Sequence, residues 1–214
     1  MTHNIEYSQL SKKQNIQISG HVSGFGGCSH GVCQTVNVAP NTTIEASYLF
    51  ELCENLEHVD LGQNVIITAN NAFHGCSSLE TLNASNGLSL RGKASFAQCG
   101  FQTLVIPAGS VIDGDYSFGK CQNLRSLVIG DDCVIHGDSS FQDCSNLSSI
   151  RVGNGVKILG NRTFANCEKI EFISVGDDFS LLGEDNFAGC RNQPVSLHRT
   201  NLHYTDITYP NFED

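Results

Sequence analysis

The sequence predicts a right-handed repeat solenoid, each coil built from short parallel β-strands and one short helical or 3₁₀ turn. Three observations carry this reading. Phe50, Phe73, Phe96, Phe118, Phe141, Phe164 and Phe187 are separated by 23, 23, 22, 23, 23 and 23 residues. A cysteine stands three residues after each: Cys53, Cys76, Cys99, Cys121, Cys144, Cys167 and Cys190. Apolar side chains also recur at fixed distances ahead of each phenylalanine. Seventeen before come Cys33, Leu56, Leu79, Phe101, Leu124, Leu147 and Ile170; fourteen before come Val36, Val59, Leu82, Leu104, Leu127, Ile150 and Ile173. Twelve before come Val38, Leu61, Ala84, Ile106, Ile129, Val152 and Val175; six before come Ile44, Ile67, Leu90, Ile112, Ile135, Ile158 and Leu181. The one short interval falls at Cys99-Gly100-Phe101, where a residue is missing and Phe101 takes the leucine slot.

Each element of the coil has a physical reason. The apolar pair fourteen and twelve before the phenylalanine has period two, so both side chains face one side of a short strand. A turn follows, as in Gly62-Gln63-Asn64, Gly130-Asp131-Asp132, Gly153-Asn154-Gly155 and Gly176-Asp177-Asp178. Gly and Asn tolerate positive φ there, and Asp bonds its own backbone. A second short extended piece carries the apolar residue six before the phenylalanine, and Gly92, Gly114, Gly137, Gly160 and Gly183 mark the next corner. The inward residues of Phe-x-x-Cys are spaced by three, which suits a helical or 3₁₀ turn. One coil cannot bury these groups alone, whereas a stack buries them continuously. With parallel strands about 4.8 Å apart, seven coils make a rod about 30 Å long.

The expected organisation is an N-terminal cap over 1–32, a solenoid of about six to seven coils over 33–197, and a C-terminal tail or cap over 198–214. Ile16-Gln17-Ile18 with Val22 alternates like a capping strand, and Ser23-Gly24-Phe25-Gly26-Gly27 reads as a flexible turn. Pro194-Val195-Ser196-Leu197 resembles a last strand, followed by a loose tail or a strap across the final coil.

The Ala/Ser-Phe-x-x-Cys-x-x-Leu-x-x-Ile-x-Ile pattern at 23 residues resembles the BspA-type leucine-rich repeats of bacteria and some protists, over about residues 33 to 197. The resemblance implies a leucine-rich-repeat-like solenoid. It also implies a binding role, since many relatives are surface proteins that contact host matrix proteins or other cells, and hence a cell-surface or secreted location. One departure concerns the later segment. Its apolar residue sits six before the phenylalanine rather than five, with Thr68, Arg91, Asp113 and His136 in the usual slot and Leu159 and Leu182 agreeing with the family.

Composition narrows the function. Hydrophobic residues make up 40% of the 214 and charged residues 16%, enough apolar content for a folded core. A net charge of −10 with only 12 Lys and Arg argues against nucleic acid or an anionic membrane as partner. Apolar runs are too short for membrane insertion. Met1-Thr2-His3-Asn4-Ile5-Glu6 has no basic start and no apolar stretch behind it, so no secretory signal is visible and the chain as written reads as cytoplasmic. A single chain in solution is expected.

Candidate chemistry is mostly explained by the repeat. The cysteine ladder reads as small buried apolar side chains, because parallel rungs about 4.8 Å apart do not converge as a disulfide requires. His21, Cys28, His30 and Cys33 carry zinc-type donors, but Cys33 already fills a core slot and the spacing is irregular. Gly87 to Ala94 nearly matches a phosphate-binding loop, yet Ala94 stands where a magnesium-binding hydroxyl is needed. Asp131, Asp132, Asp177 and Asp178 suggest calcium only weakly, since the two turns are two coils apart; Asp115 and Asp138 stack in neighbouring coils. No metal or cofactor is expected. His58, His74 and His136 occur singly, with no nucleophile, base and orienter together, so no enzyme activity is expected.

What remains is a surface. Outward residues of the first strand form two columns that supply the candidate binding site: His58, Thr81, Thr103, Ser126, Ser149 and Phe172, and Asp60, Asn83, Val105, Val128, Arg151 and Ser174. Exposed Val105 and Val128 beside Phe172 and Arg151 suit a contact patch for another protein. β-Branched and hydroxyl residues also simply suit a sheet surface, so the competing reading is a structural spacer or intracellular scaffold without a dedicated ligand.

Overall fold

A computed structural model of the chain describes residues 2–3, 13–24 and 31–191. It is a parallel-strand solenoid of about seven turns. Numbering strands in chain order, the eight four-residue strands are Asn15–Ile18 (β2), Thr35–Val38 (β4), His58–Leu61 (β6), Thr81–Ala84 (β8), Thr103–Ile106 (β10), Ser126–Ile129 (β12), Ser149–Val152 (β14) and Phe172–Val175 (β16). Nine two-residue strands alternate with them: Thr2–His3 (β1), His21–Val22 (β3), Thr43–Ile44 (β5), Ile66–Ile67 (β7), Ser89–Leu90 (β9), Val111–Ile112 (β11), Val134–Ile135 (β13), Lys157–Ile158 (β15) and Ser180–Leu181 (β17). The short strands form one continuous nine-stranded sheet. The long strands form two four-stranded sheets, β2-β4-β6-β8 and β10-β12-β14-β16.

Register is what makes the core. Val36 pairs with Val59 and Val59 with Leu82; Leu104 pairs with Leu127, Leu127 with Ile150, and Ile150 with Ile173. All of these are buried. Ile16 and Ile18 are buried too, in register with Val36 and Val38, so residues 15–22 continue both sheets. The residues six before each phenylalanine are buried from Ile44 through Ile158, while Thr68, Arg91, Asp113 and His136 in the next position are exposed. Leu182, in that same outward column, is 51% exposed, so its agreement with the family slot is not a core position here.

The phenylalanines stack in one file. Successive ring centroids from Phe50 to Phe187 lie 5.0, 4.8, 5.6, 5.3, 5.6 and 5.5 Å apart with interplanar angles of 3–15°. Beside them, each thiol reaches one coil back. Sγ of Cys76, Cys99, Cys121, Cys144, Cys167 and Cys190 lies 3.1–3.4 Å from the carbonyl of the preceding coil's phenylalanine. A small apolar side chain with a weak donor suits that slot. The described cysteines are free thiols.

The Phe-x-x-Cys segment corrects one expectation: among the described residues it is neither helical nor 3₁₀. The residues two before and two after each phenylalanine have left-handed backbones, for example Tyr48 (φ 62°) and Leu52 (φ 54°), Asn71 and Gly75, or Ser139 and Asp143. Left-handed residues cannot continue a right-handed helix. Their N–H groups bond forward to the next coil instead. Ser139, Phe141 and Asp143 donate to the carbonyls of Asn161, Thr163 and Ala165 at 2.8–2.9 Å. Within the coil, only isolated turn bonds form, such as Gln142 N–H to the Ser139 carbonyl at 3.0 Å. Spacing by three therefore places Phe and Cys inward through consecutive turns.

The corner glycines and the residue before each phenylalanine act together. A Cβ on Gly92 would overlap the carbonyl oxygen of Ala69 one coil back. Where the corner is glycine, a side-chain donor three residues on reaches its carbonyl: the buried hydroxyls of Ser95 to Gly92, Ser117 to Gly114, Ser140 to Gly137 and Thr163 to Gly160, at 2.7–3.0 Å, and the Asn186 amide to Gly183 at 2.6 Å. Where the corner is Ala46 or Ala69, that later position is Leu49 or Ala72.

Two outcomes follow for stability. Phe73→Ala removes a fully buried ring from the stack and is expected to cost about 3–5 kcal/mol in urea unfolding; a loss below about 1 kcal/mol would contradict the stack. Thiol ionisation supplies the second. Burial pushes the Cys99 thiol well above its ordinary range, the neighbouring thiols of Cys121 and Cys167 together with burial do the same for Cys144, and burial takes Cys190 up to about 12. Unfolded thiols ionise near about 8.5. Above that pH the folded chain holds more protons than the unfolded one, so stability is full below about pH 8.5 and falls as pH rises past it. Melting temperature measured from pH 7 to 10 should show the fall, with a shallower slope in Cys144→Ala.

Candidate recognition surface

The long-strand face collects the twelve residues read from the sequence. Strand pairing puts His58 beside Thr81 and Asp60 beside Asn83 in the first sheet. In the second it aligns Thr103, Ser126, Ser149 and Phe172, and in the next column Val105, Val128, Arg151 and Ser174. None of the twelve is buried. His58, Asn83, Thr103, Val105, Arg151 and Phe172 are exposed, and Asp60, Thr81, Ser126, Val128, Ser149 and Ser174 are half-buried. Val105 at 51% and Phe172 at 43% are large apolar groups held in water.

The face is interrupted between β8 and β10, and the sequence explains the position. The coil that lacks one residue runs through here, and Phe101 fills its leucine slot with the ring tilted 50° and 58° against Phe96 and Phe118. Ala84 stands where the other coils place Val, Leu or Ile, and is only half-buried. The under-filled end of β8 leaves an open depression of about 570 Å³, bordered by Asp60, Leu61, Leu82, Asn83, Ala84 and Val105. In it the Asn83 amide donates to Asp60 Oδ1 at 2.7 Å.

Charge on this face is divided. Asp60 with Glu57 and Glu80, the residues just before β6 and β8, makes the first sheet acidic; the second carries Arg125, just before β12, and Arg151 on β14, together with one acid, Glu171, just before β16. Glu57, Glu80, Arg125 and Ser148 are stacked, since Glu80 N–H bonds the Glu57 carbonyl and Ser148 N–H the Arg125 carbonyl, at 3.1 and 3.0 Å.

The other candidate positions have structural work. Asp115, Asp138 and Asn161 form a ladder in which each Oδ1 accepts the N–H of the next coil's equivalent residue, at 2.7–3.2 Å. Asp131 and Asn154 do the same for Asn154 and Asp177, both at 2.8 Å, while Asp132 and Asp178 hold left-handed turn positions. Gly87 and Ala94 are both left-handed, and no helix follows them. Cys33 is buried, and His21 Nε2 lies 3.1 Å from Glu45; Cys28 and His30 fall outside the described residues, as do residues 192–214 with the expected last strand and tail. Among the described residues no group of three or more His, Cys, Asp or Glu is placed to hold a metal ion.

A linear reading of the chain misses the histidine partners. His136 Nδ1 is 2.8 Å from Asp113 Oδ1, and His74 Nδ1 is 3.6 Å from Glu51 Oε1 with Gln98 at its other nitrogen, 3.0 Å away. Both acids sit 23 residues upstream, one coil back, so the repeat register itself carries the signal. Arg91 and Lys93 reach the other way, to Asp113 and Asp115 one coil forward and 22 residues downstream, at 3.9 and 2.9 Å. No helix among the described residues is long and apolar enough to cross a membrane.

Likenesses to known proteins agree with this geometry. Six copies of the BspA type leucine rich repeat region match residues 3–113 and 92–194. A leucine-rich repeat protein from Bacteroides ovatus superposes with a TM-score of 0.54 at 19% identity, covering 78% of this chain and 52% of that one. A leucine rich cell surface protein from Faecalibacterium prausnitzii gives 0.38 at 17% identity, covering 83% and 64%. The chain thus spans about half the length of the first of these. No curated protein matches. Repeat period, stacked core and matched span agree: the chain belongs to the BspA-type leucine-rich repeat family.

Proposed function

We propose that the chain is a non-catalytic protein-recognition module that binds a partner protein through its long-strand face, in adhesion or contact with a host or another cell. The observation that carries this is the exposure of Phe172 and Val105 on the same face as Arg151; the other large apolar residues exposed among the described ones, Val32, Tyr48, Leu52 and Leu182, lie on no long strand. Aromatic and arginine side chains are favoured interface anchors. The non-catalytic reading is supported by the spent chemistry: turn acids cap backbone, thiols are buried, and His21, His58, His74 and His136 lie beside acids.

The test is binding of the immobilised chain to a panel of extracellular-matrix and cell-surface proteins. Phe172→Ala combined with Arg151→Ala is expected to weaken capture at least about tenfold, or about 1.4 kcal/mol, with melting temperature unchanged. Capture by neither form, or equal capture by both, would favour a spacer whose strand face has no ligand.

A further inference from the structure

Resting on the reading of the long-strand face as the recognition surface, we infer that one partner is a second copy of this chain, docked face to face with its rod reversed about a twofold axis through β10, parallel to the strands.

Four of the six Asp, Glu and Arg residues on the face are arranged antisymmetrically about β10; the other two, Glu57 and Glu171, fall over Ser148 and Gln34. In the column that contains Val105, Asp60 lies two coils before it and Arg151 two coils after. In the column just ahead of the strands, Glu80 lies one coil before Gln102 and Arg125 one coil after. A twofold axis along β10 reverses the order of coils and keeps each column over itself. It therefore sets Asp60 against Arg151 and Glu80 against Arg125, and each pairing occurs twice by symmetry. Val105, the most exposed apolar residue of the face, meets its own copy on the axis, and Phe172 falls over the small Thr35.

No other register through these strands does as well. An axis midway between β8 and β10 pairs Arg125 with Glu57 but leaves Arg151 over Asn37 and Asp60 over Val128. Within one chain these charges are unspent: among the described residues, Glu80, Arg125, Arg151 and Asp60 make none of the ion pairs found elsewhere. Asp60 only accepts the Asn83 amide. On the other faces of the coil several charges are paired one coil apart, as in Lys93–Asp115 and Arg191–Glu168.

Size sets the strength. Strands of four residues with their flanks, over the seven strands from β4 to β16, offer about 450 Å² of each face by ordinary strand dimensions. That is under the roughly 800 Å² per partner of a standard stable interface, so the dimer is weak and its charges matter. Opposed charges across a rim are screened by salt.

The test uses the purified full chain under reducing conditions, by sedimentation equilibrium up to about millimolar concentration. Dimerisation is expected, weaker in 0.5 M than in 0.05 M NaCl. Asp60→Arg and Arg151→Asp singly should each weaken it at least tenfold, because like charges then face each other at two places. The charge-swapped chain carrying both should return to within about threefold of the starting chain. Val105→Cys, oxidised gently, should cross-link through its own copy, as read by peptide mapping. A chain that stays monomeric throughout, a dimer indifferent to both reversals, or a swap no better than the singles would overturn the proposal. Loss of matrix-protein capture in the Phe172 and Arg151 variant of a strictly monomeric chain would leave the recognition reading standing and remove only the second copy.

Discussion

Everything in this molecule depends on each coil meeting its neighbours in register, which most coils do with 23 residues. A parallel stack satisfies its backbone only if the N–H and C=O groups of one coil meet those of the next, and here the bonds run in both directions from each coil. The strands and outer turns reach back, as Gly62 N–H does to Val38, while the phenylalanine segment reaches forward, as Phe50 N–H does to Ala72. Buried backbone groups left unpaired are costly. A coil of the wrong length would break both ladders at once and also move every inward side chain off its neighbour. From β4 onward one coil has 22 residues in place of 23, and it shows the tolerance. It closes because Gly100 lets the chain pass against Ser77 with no side chain in the way, and because Phe101 fills the space that a leucine and its spacer would hold.

The same closure explains side chains that look like chemistry. Cysteine fits its slot because the phenylalanine carbonyl of the previous coil needs a donor in a space too small for a longer group. Serine, threonine or, before Phe187, asparagine appears ahead of the phenylalanine where the corner is glycine, since its side-chain donor then reaches the glycine carbonyl. Asparagine and aspartate recur at the corners because a short side-chain oxygen accepts the next coil's N–H. Lys93 interrupts that ladder with no acceptor of its own, and compensates through its ammonium on Asp115.

Much of this architecture is legible in the sequence. The inward columns can be read because burial demands the same apolar residue at the same step in every coil, and the register of β4 through β16 follows the 23-residue count directly. The helical reading of Phe-x-x-Cys fails for a definite reason. Spacing by three is shared by a 3₁₀ turn and by two linked turns, and only the backbone angles at positions such as Tyr48 and Leu52 separate them. Tyrosine and leucine carry no hint of a left-handed conformation, so the alternation of Gly, Asn and Asp at the equivalent sites (Gly75, Asp143, Asn166, Gly189) is the usable sign. The gap in the long-strand face is also marked, by Ala84 in a column of larger residues and the missing residue beside Phe101.

Periodicity also tells which parts of the surface folding does not dictate. A residue that repeats in every coil is required by closure, and its identity says little about partners. The outward positions of the long strands do not repeat: hydroxyls give way to Phe172, amides and Asp60 to Val105 and Arg151. The short-strand and phenylalanine faces vary too, and there several of the varying residues pair one coil apart, acid against base or against histidine. On the long-strand face Asp60 and Arg151 stand four coils apart in one column and Glu80 and Arg125 two apart in the next, and neither pair is in ion-pair contact within the chain. Charges that fold no coil and pair with no neighbour keep their field for something outside the molecule, and their order along the rod is a better guide to that partner than any single residue among them.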